Sequence, residues 1–180
     1  MGLLKHDGES WSTRAWRLGM NLYPMFWGTG GRVTYIAADY TEVRLRLGLN
    51  PFTYNYVGTI FGGSMFSASD PFLMVMLFRV LGKRDFVVWD KAARIRFRRP
   101  GTSRLSMTLR LDDELLARIR KTVREESVWT EWLPLQWVDR DGNVVAELER
   151  ELYVADKTWY RQRRKAKAAS AKTAERADKT

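Results

Sequence analysis

Four stretches of the chain alternate apolar and polar residues with a period of two, and one stretch between them does not alternate at all. Val43, Leu45 and Leu47 oppose Glu42, Arg44 and Arg46, and Ile95 and Phe97 oppose Arg94, Arg96 and Arg98. Leu105, Met107, Leu109 and Leu111 oppose Ser106, Thr108 and Arg110. Val144, Ala146, Leu148, Leu152 and Val154 oppose Glu147, Glu149 and Glu151. Each predicts a strand with one buried face. Val33 to Ala38 and Val128 to Val138 predict two more, the latter joined to the final strand by the hairpin turn Asp139-Arg140-Asp141-Gly142. The unbroken apolar run from Ile60 to Leu81 predicts a helix buried nearly all round.

Helical spacing of Trp11, Trp16, Met20 and Tyr23 predicts a first helix from Trp11 to about Tyr23, with Ser10 as its cap and Pro24 behind its end. Asp112-Asp113-Glu114 opens a short helix through about Arg120, acidic at its start and basic after. Strands returning antiparallel around one buried helix give an α+β class. The expected organisation is a leader and helix over 1–29, one domain over 30–157, and a basic, disordered tail over 158–180. Residues 1–9 are expected to be loose.

Composition then narrows the chemistry. At 180 residues the chain suits a single core. It has no Cys, which excludes disulfides and thiolate sites, and its single His is His6 in the leader, which argues against a His triad or a His metal site. No metal and no cofactor is expected. Net charge is +10, but residues 161–180 hold eight Lys/Arg against two Asp/Glu, so the tail carries +6 and the other 160 residues only +4. The Ile60–Leu81 run is long enough to span a bilayer, yet it contains Gly62, Gly63, Asp70, Pro71 and Arg79, which favour a core helix. The first ten residues carry Lys5, Asp7 and Glu9 and no apolar core, so no signal peptide is read and a cytoplasmic protein is expected.

The candidate chemistry sits at the start of the apolar run. Gly62 and Gly63 open it, and paired glycines at a helix N-terminus present backbone N–H groups to negative charge. Asp70 follows Gly63 by seven positions, about two turns, hence on nearly the same helix face. Oxyanion donors and a water-activating carboxylate on one face suggest acyl-group hydrolysis. The competing reading makes Asp70-Pro71 an N-cap and first helical residue, splitting the run into two helices. Ser67 lies one turn before Asp70, within reach of it or of its own backbone. Asn55 is either a turn residue or a ligand contact. If the helix is regular, Gly62 and Asp70 stand about 12 Å apart along its axis, so one subunit cannot bring both to one carbonyl. A twofold dimer can.

The order Asn55, then Gly62-Gly63, then Asp70 resembles the central-helix motif of hotdog-fold acyl-CoA thioesterases of the phenylacetyl-CoA type. Ala93-Arg94-Ile95-Arg96-Phe97-Arg98-Arg99-Pro100-Gly101 is similar to the strand that follows in that family. With Val87-Val88-Trp89-Asp90-Lys91 it resembles an uncharacterised branch known only as a domain of unknown function. The likeness covers roughly residues 30 to 156. It implies a curved antiparallel sheet wrapped on a long central helix, a site composed across a homodimer, a homodimer or a tetramer made of two dimers as the assembly, and an acyl-CoA or acyl-pantetheine ligand. It further implies Asp70 as base or nucleophile and Gly62 and Gly63 as oxyanion donors. Phe61 stands where the family has His; it can line an acyl pocket but cannot donate a proton.

Arg94, Arg96, Arg98, Arg99 and Arg104 are either a solvated strand face or a phosphate-recognition surface, with Arg98 and Arg99 the candidates nearest the turn. The leading function is carboxylate-assisted thioester hydrolysis. The alternative is a non-catalytic acyl-ligand-binding or scaffolding hotdog. Nucleic-acid or membrane contact through the polybasic tail is read as secondary.

Overall fold

The computed structural model describes residues 8–177. In chain order its elements are α1 (Trp11–Leu22), α2 (Pro24–Trp27), β1 (Gly31–Ile36), β2 (Glu42–Leu47), α3 (Gly62–Ser67), α4 (Phe72–Leu81), β3 (Phe86–Phe97), β4 (Leu105–Arg110), α5 (Asp113–Glu126), β5 (Val128–Val138), β6 (Val144–Asp156) and α6 (Lys157–Ala177). The six strands form one antiparallel sheet in the order β1-β2-β4-β5-β6-β3. It wraps around α3 and α4, which is the α+β hotdog architecture expected.

The period-two pattern explains the sheet's inner face. Val43, Leu45 and Leu47 of β2, Leu105, Met107 and Leu109 of β4, and Ala146, Leu148, Leu152 and Val154 of β6 all lie in the core. They pack on Met65, Phe72, Leu73, Met76 and Leu77 of the central helices. Full burial of each such side chain contributes roughly 1.5–3 kcal/mol. The β4–β5 ladder is thin, with Ser106 opposite Val138 as its one paired position. Beside that thin ladder, α5 turns Leu115, Leu116, Ile119 and Val123 inward. This helix outruns its expected end at Arg120 because nothing stops it before Ser127, whose left-handed backbone (φ 66) closes it.

The two outer strands are treated differently. Along β1, the Asn21 amide of α1 donates to the Val33 carbonyl and accepts from the Val33 N–H, both at 2.8 Å. Farther along, the Glu9 carboxylate accepts from the Ile36 N–H at 3.2 Å. Glu9 is itself held by Arg17 Nε at 2.7 Å and Nη2 at 3.0 Å, and both residues are fully buried. The loose leader expected over 1–9 is therefore corrected at Glu9, which is a packed part of the fold; residues 1–7, His6 among them, lie outside the described residues. At the other edge β3, 12 residues long, pairs with β6 alone among the described strands.

The C-terminal segment is a second correction. In place of a disordered tail over 158–180, α6 runs from Lys157 to Ala177. Asp156 caps it by accepting from the Trp159 N–H at 2.8 Å, and Lys157 Nζ donates to the Lys83 carbonyl at 2.7 Å. Its Ala, Lys, Arg and Glu content is that of a strong helix former. Residues 178–180 lie outside the described residues.

Candidate functional site

The central helix is not continuous. α3 ends at Ser67, a turn occupies Ala68 to Pro71, and α4 starts at Phe72. A break frees carbonyls that must find donors inside the core. Trp137 Nε1 of β5 donates to the Met65 carbonyl at 2.7 Å. The Phe66 carbonyl accepts from Ser69 Oγ at 2.7 Å and from Arg150 Nη2 of β6 at 3.1 Å. So the two-piece reading of the run is correct and the single long helix is not. Asp70 does not cap α4, however, since the residue before Phe72 is Pro71 and no side chain caps that helix.

At the start of α3 lies a cleft of about 440 Å³, lined by Asn55, Ile60, Gly62, Met65, Phe97, Arg98, Arg99 and Gly101, among others. Four of the expected site residues, Asn55, Gly62, Arg98 and Arg99, are thus brought together. Gly62 is small for a visible reason, because a Cβ there would lie 2.6 Å from Cζ of the Phe97 ring. Gly63 is covered in the same way by the ring of Phe61, which is half-exposed just ahead of the helix. As the first two helical residues, neither glycine has an intrahelical acceptor for its N–H. Arg98 pairs with Glu147 at 2.7 Å while still lining the cleft.

Two expected contacts are made elsewhere. Asn55 spends its side chain within its own turn, donating to Thr59 Oγ1 at 2.7 Å and accepting from the N–H groups of Val57 and Thr59. It shapes the cleft wall as a turn residue. Ser67 donates to the Gly63 carbonyl one turn back, not to Asp70.

Asp70 is at the break, away from the cleft, and its side chain is 54% exposed, so it is not the buried carboxylate expected. Its Oδ1 lies 3.8 Å from Nη1 of Arg150. The same nitrogen lies 3.4 Å from Oδ2 of Asp90. Arg150 is almost fully buried (side chain 3% exposed), with Nη2 also donating to Ser69 Oγ at 2.9 Å and its guanidinium over the Phe66 ring. Burial pushes the Asp90 carboxyl above the ordinary carboxylate range; the nearby Arg150 charge opposes this and the Asp70 charge adds to it.

Asp90, Arg150 and Ser69 were not among the expected site residues. Arg150 was readable in principle, because it is the lone charge in the inward-facing series Ala146, Leu148, Arg150, Leu152 and Val154. Asp90 was not. Counting by twos from Ile95 and Phe97 turns it outward, but a bulge between Asp90 and Ala92 shifts the register and returns Asp90 to the inner face opposite Leu152.

Residues 13–154 match DUF4442, a domain of unknown function. No curated protein sequence matches the chain at a significant level. Among solved structures, a Pseudomonas aeruginosa protein of unknown function called a probable thioesterase is 24% identical with a TM-score of 0.71, over 83% of this chain and 99% of its own. A Chlorobaculum tepidum protein of unknown function is 14% identical with a TM-score of 0.62, over 80% and 94%. A Haemophilus influenzae thioesterase is 9% identical with a TM-score of 0.58, over 83% and 94%. At these identities the likeness establishes the shared fold.

Proposed function

The chain belongs to the DUF4442 family, and we propose that it hydrolyses an acyl thioester at a site shared between two subunits. The observation that carries this reading is the layout along β3. Gly62 packs under Phe97 at one end of the strand, and Asp70 is linked through Arg150 to Asp90 near the other. No described strand pairs with the outer edge of β3, and antiparallel pairing of two such edges around Ala92 and Ala93 sets the Asp90 end of one strand beside the Phe97 end of its partner. Asp70 of the partner subunit then approaches the Gly62 cleft, which no single chain achieves.

In that site the N–H groups of Gly62 and Gly63 hold the carbonyl oxygen as it becomes an oxyanion. Asp70 takes a proton from water as the water oxygen bonds to the carbonyl carbon. Collapse breaks the carbon–sulfur bond and returns the proton to the leaving thiolate. Arg98 and Arg99 at the cleft face the phosphates of a coenzyme A or pantetheine arm. A second reading, a non-catalytic acyl-binding protein, is favoured by Phe61, whose ring lies against Gly63 where a proton donor would be useful.

Hydrolysis of an acyl-CoA panel by wild type and Asp70→Asn separates the two. Turnover is expected to fall about a hundredfold or more in the variant, since Asn cannot accept the proton. Its thermal midpoint should hold, because the Asp70 side chain is half-exposed and caps nothing. Full activity in Asp70→Asn would remove Asp70 from the chemistry and put the base elsewhere. A wild type that binds acyl-CoA without turnover would establish the second.

A further inference from the structure

The mechanism above leaves Asp90 and Arg150 unused, although Arg150 is the one cation within ion-pair distance of Asp70 among the described residues. The guanidinium cannot swing. It is buried, Nη2 is committed to Phe66 and Ser69, and the plane lies over the Phe66 ring. Nη1 is the nitrogen within ion-pair distance of carboxylates, and two of them share it, Asp90 at 3.4 Å and Asp70 at 3.8 Å. The sharing is unequal in another respect. Asp90 lies in β3 with its Oδ1 buried and without a hydrogen-bond partner, and Arg150 Nε is without one too, whereas the Asp70 side chain stands half-exposed on the turn.

A half-exposed carboxylate beside a buried cation is drawn toward it, and a second carboxylate that offsets the cation's charge weakens that pull. Asp70 drawn fully onto Nη1 would have its lone pairs engaged inside its own subunit and would be a poorer base. We propose that Asp90 is a positioning residue for Asp70, occupying Arg150 Nη1 so that the Asp70 carboxylate stays free to act; this rests on the hydrolase reading above. The inward register that the bulge imposes on Asp90 is what makes the competition possible.

The charged groups acting on Asp90 are Arg150 from β6 and Asp70 from the turn. Lys91, its neighbour in the strand, is paired with Glu151, and Arg79, the one charge on α4, lies over the Tyr40 ring. Asp90 holds Nη1 best when ionised. Because burial raises its ionisation above the usual range, competition for Nη1 strengthens as pH rises through that point.

Three measurements test this. In Asp90→Asn, kcat on a thioester should drop about tenfold with KM nearly unchanged, the loss expected when an orienting partner is removed. The wild-type pH–rate profile should rise through an ionisation that this variant lacks. Independently of activity, the Asp90 carboxyl resonance, followed by carbon NMR, should titrate at lower pH in Asp70→Asn than in wild type. The proposal is overturned if the Asp90→Asn profile superimposes on wild type, or if Asp90 titrates identically with and without Asp70. A wild type inactive on every thioester would defeat the hydrolase reading, and the NMR titration would still decide whether the three groups are coupled.

Discussion

The two edges of the sheet are built on opposite principles. At β1 the backbone groups are answered from within the chain, by the Asn21 amide on Val33 and by the Glu9 carboxylate on Ile36. The carboxylate is then neutralised by a buried Arg17, a costly arrangement to assemble in a core. At β3, twelve residues long, no such cover is found among the described residues. Trp89 and Phe97 stand half-exposed along it, and small residues, Ala92 and Ala93, occupy its middle. Unpaired edges invite other strands, and proteins usually blunt them. This contrast between the edges fits the proposed pairing of two chains through β3.

This contrast can be broken from either side. The largest effect should come from Arg17→Ala, which takes the buried guanidinium away from the Glu9 carboxylate; denaturant unfolding should show a loss of about 3–5 kcal/mol. Asn21→Ala removes both hydrogen bonds to Val33 and leaves β1 backbone groups unanswered, at a cost of about 1–3 kcal/mol by the same measurement. The smallest effect is on the open side. Ala92→Lys adds a like charge beside Arg94 and Arg96, and a twofold axis counts the repulsion twice, so association should weaken roughly tenfold in sedimentation equilibrium. A wild type that sediments as a monomer at micromolar concentration, yet hydrolyses thioesters, would remove the reason for an open edge.

Much of this arrangement was legible in the residues, and the parts that were not share a cause. Alternation located the strands because one face of the sheet packs on the central helices, so most inward positions are apolar. Ser10 and Trp11 marked the first helix correctly, with the Ser10 hydroxyl accepting from the Thr13 N–H. Gly62 is legible in the glycine pair that opens the apolar run, and Arg98 and Arg99 in the arginine series at the turn, but that these residues line one cleft is seen only in the fold. What failed were features set by contacts across long sequence separations. The break after Ser67 is held open by Trp137 and Arg150, which lie more than 70 residues away in sequence from the carbonyls they serve. Glu9 looked like part of a polar leader because its partner, Arg17, is also charged, and only the fold shows that each justifies the other. The tail failed for the opposite reason. Its lack of apolar side chains was taken as disorder, whereas its helix follows from local propensity and the Asp156 cap.

The bulge in β3 also fixes how the strand must be counted. From Ala93 to Phe97 odd-numbered residues point into the core, and from Phe86 to Asp90 even-numbered ones do. The strand is thus two reading frames joined at Lys91. Deleting that one residue would put the halves in a single frame with every pairing to β6 kept, Asp90 still inward opposite Leu152 and Trp89 still outward. A one-residue insertion elsewhere in the strand would instead turn the residues beyond it over to the opposite face.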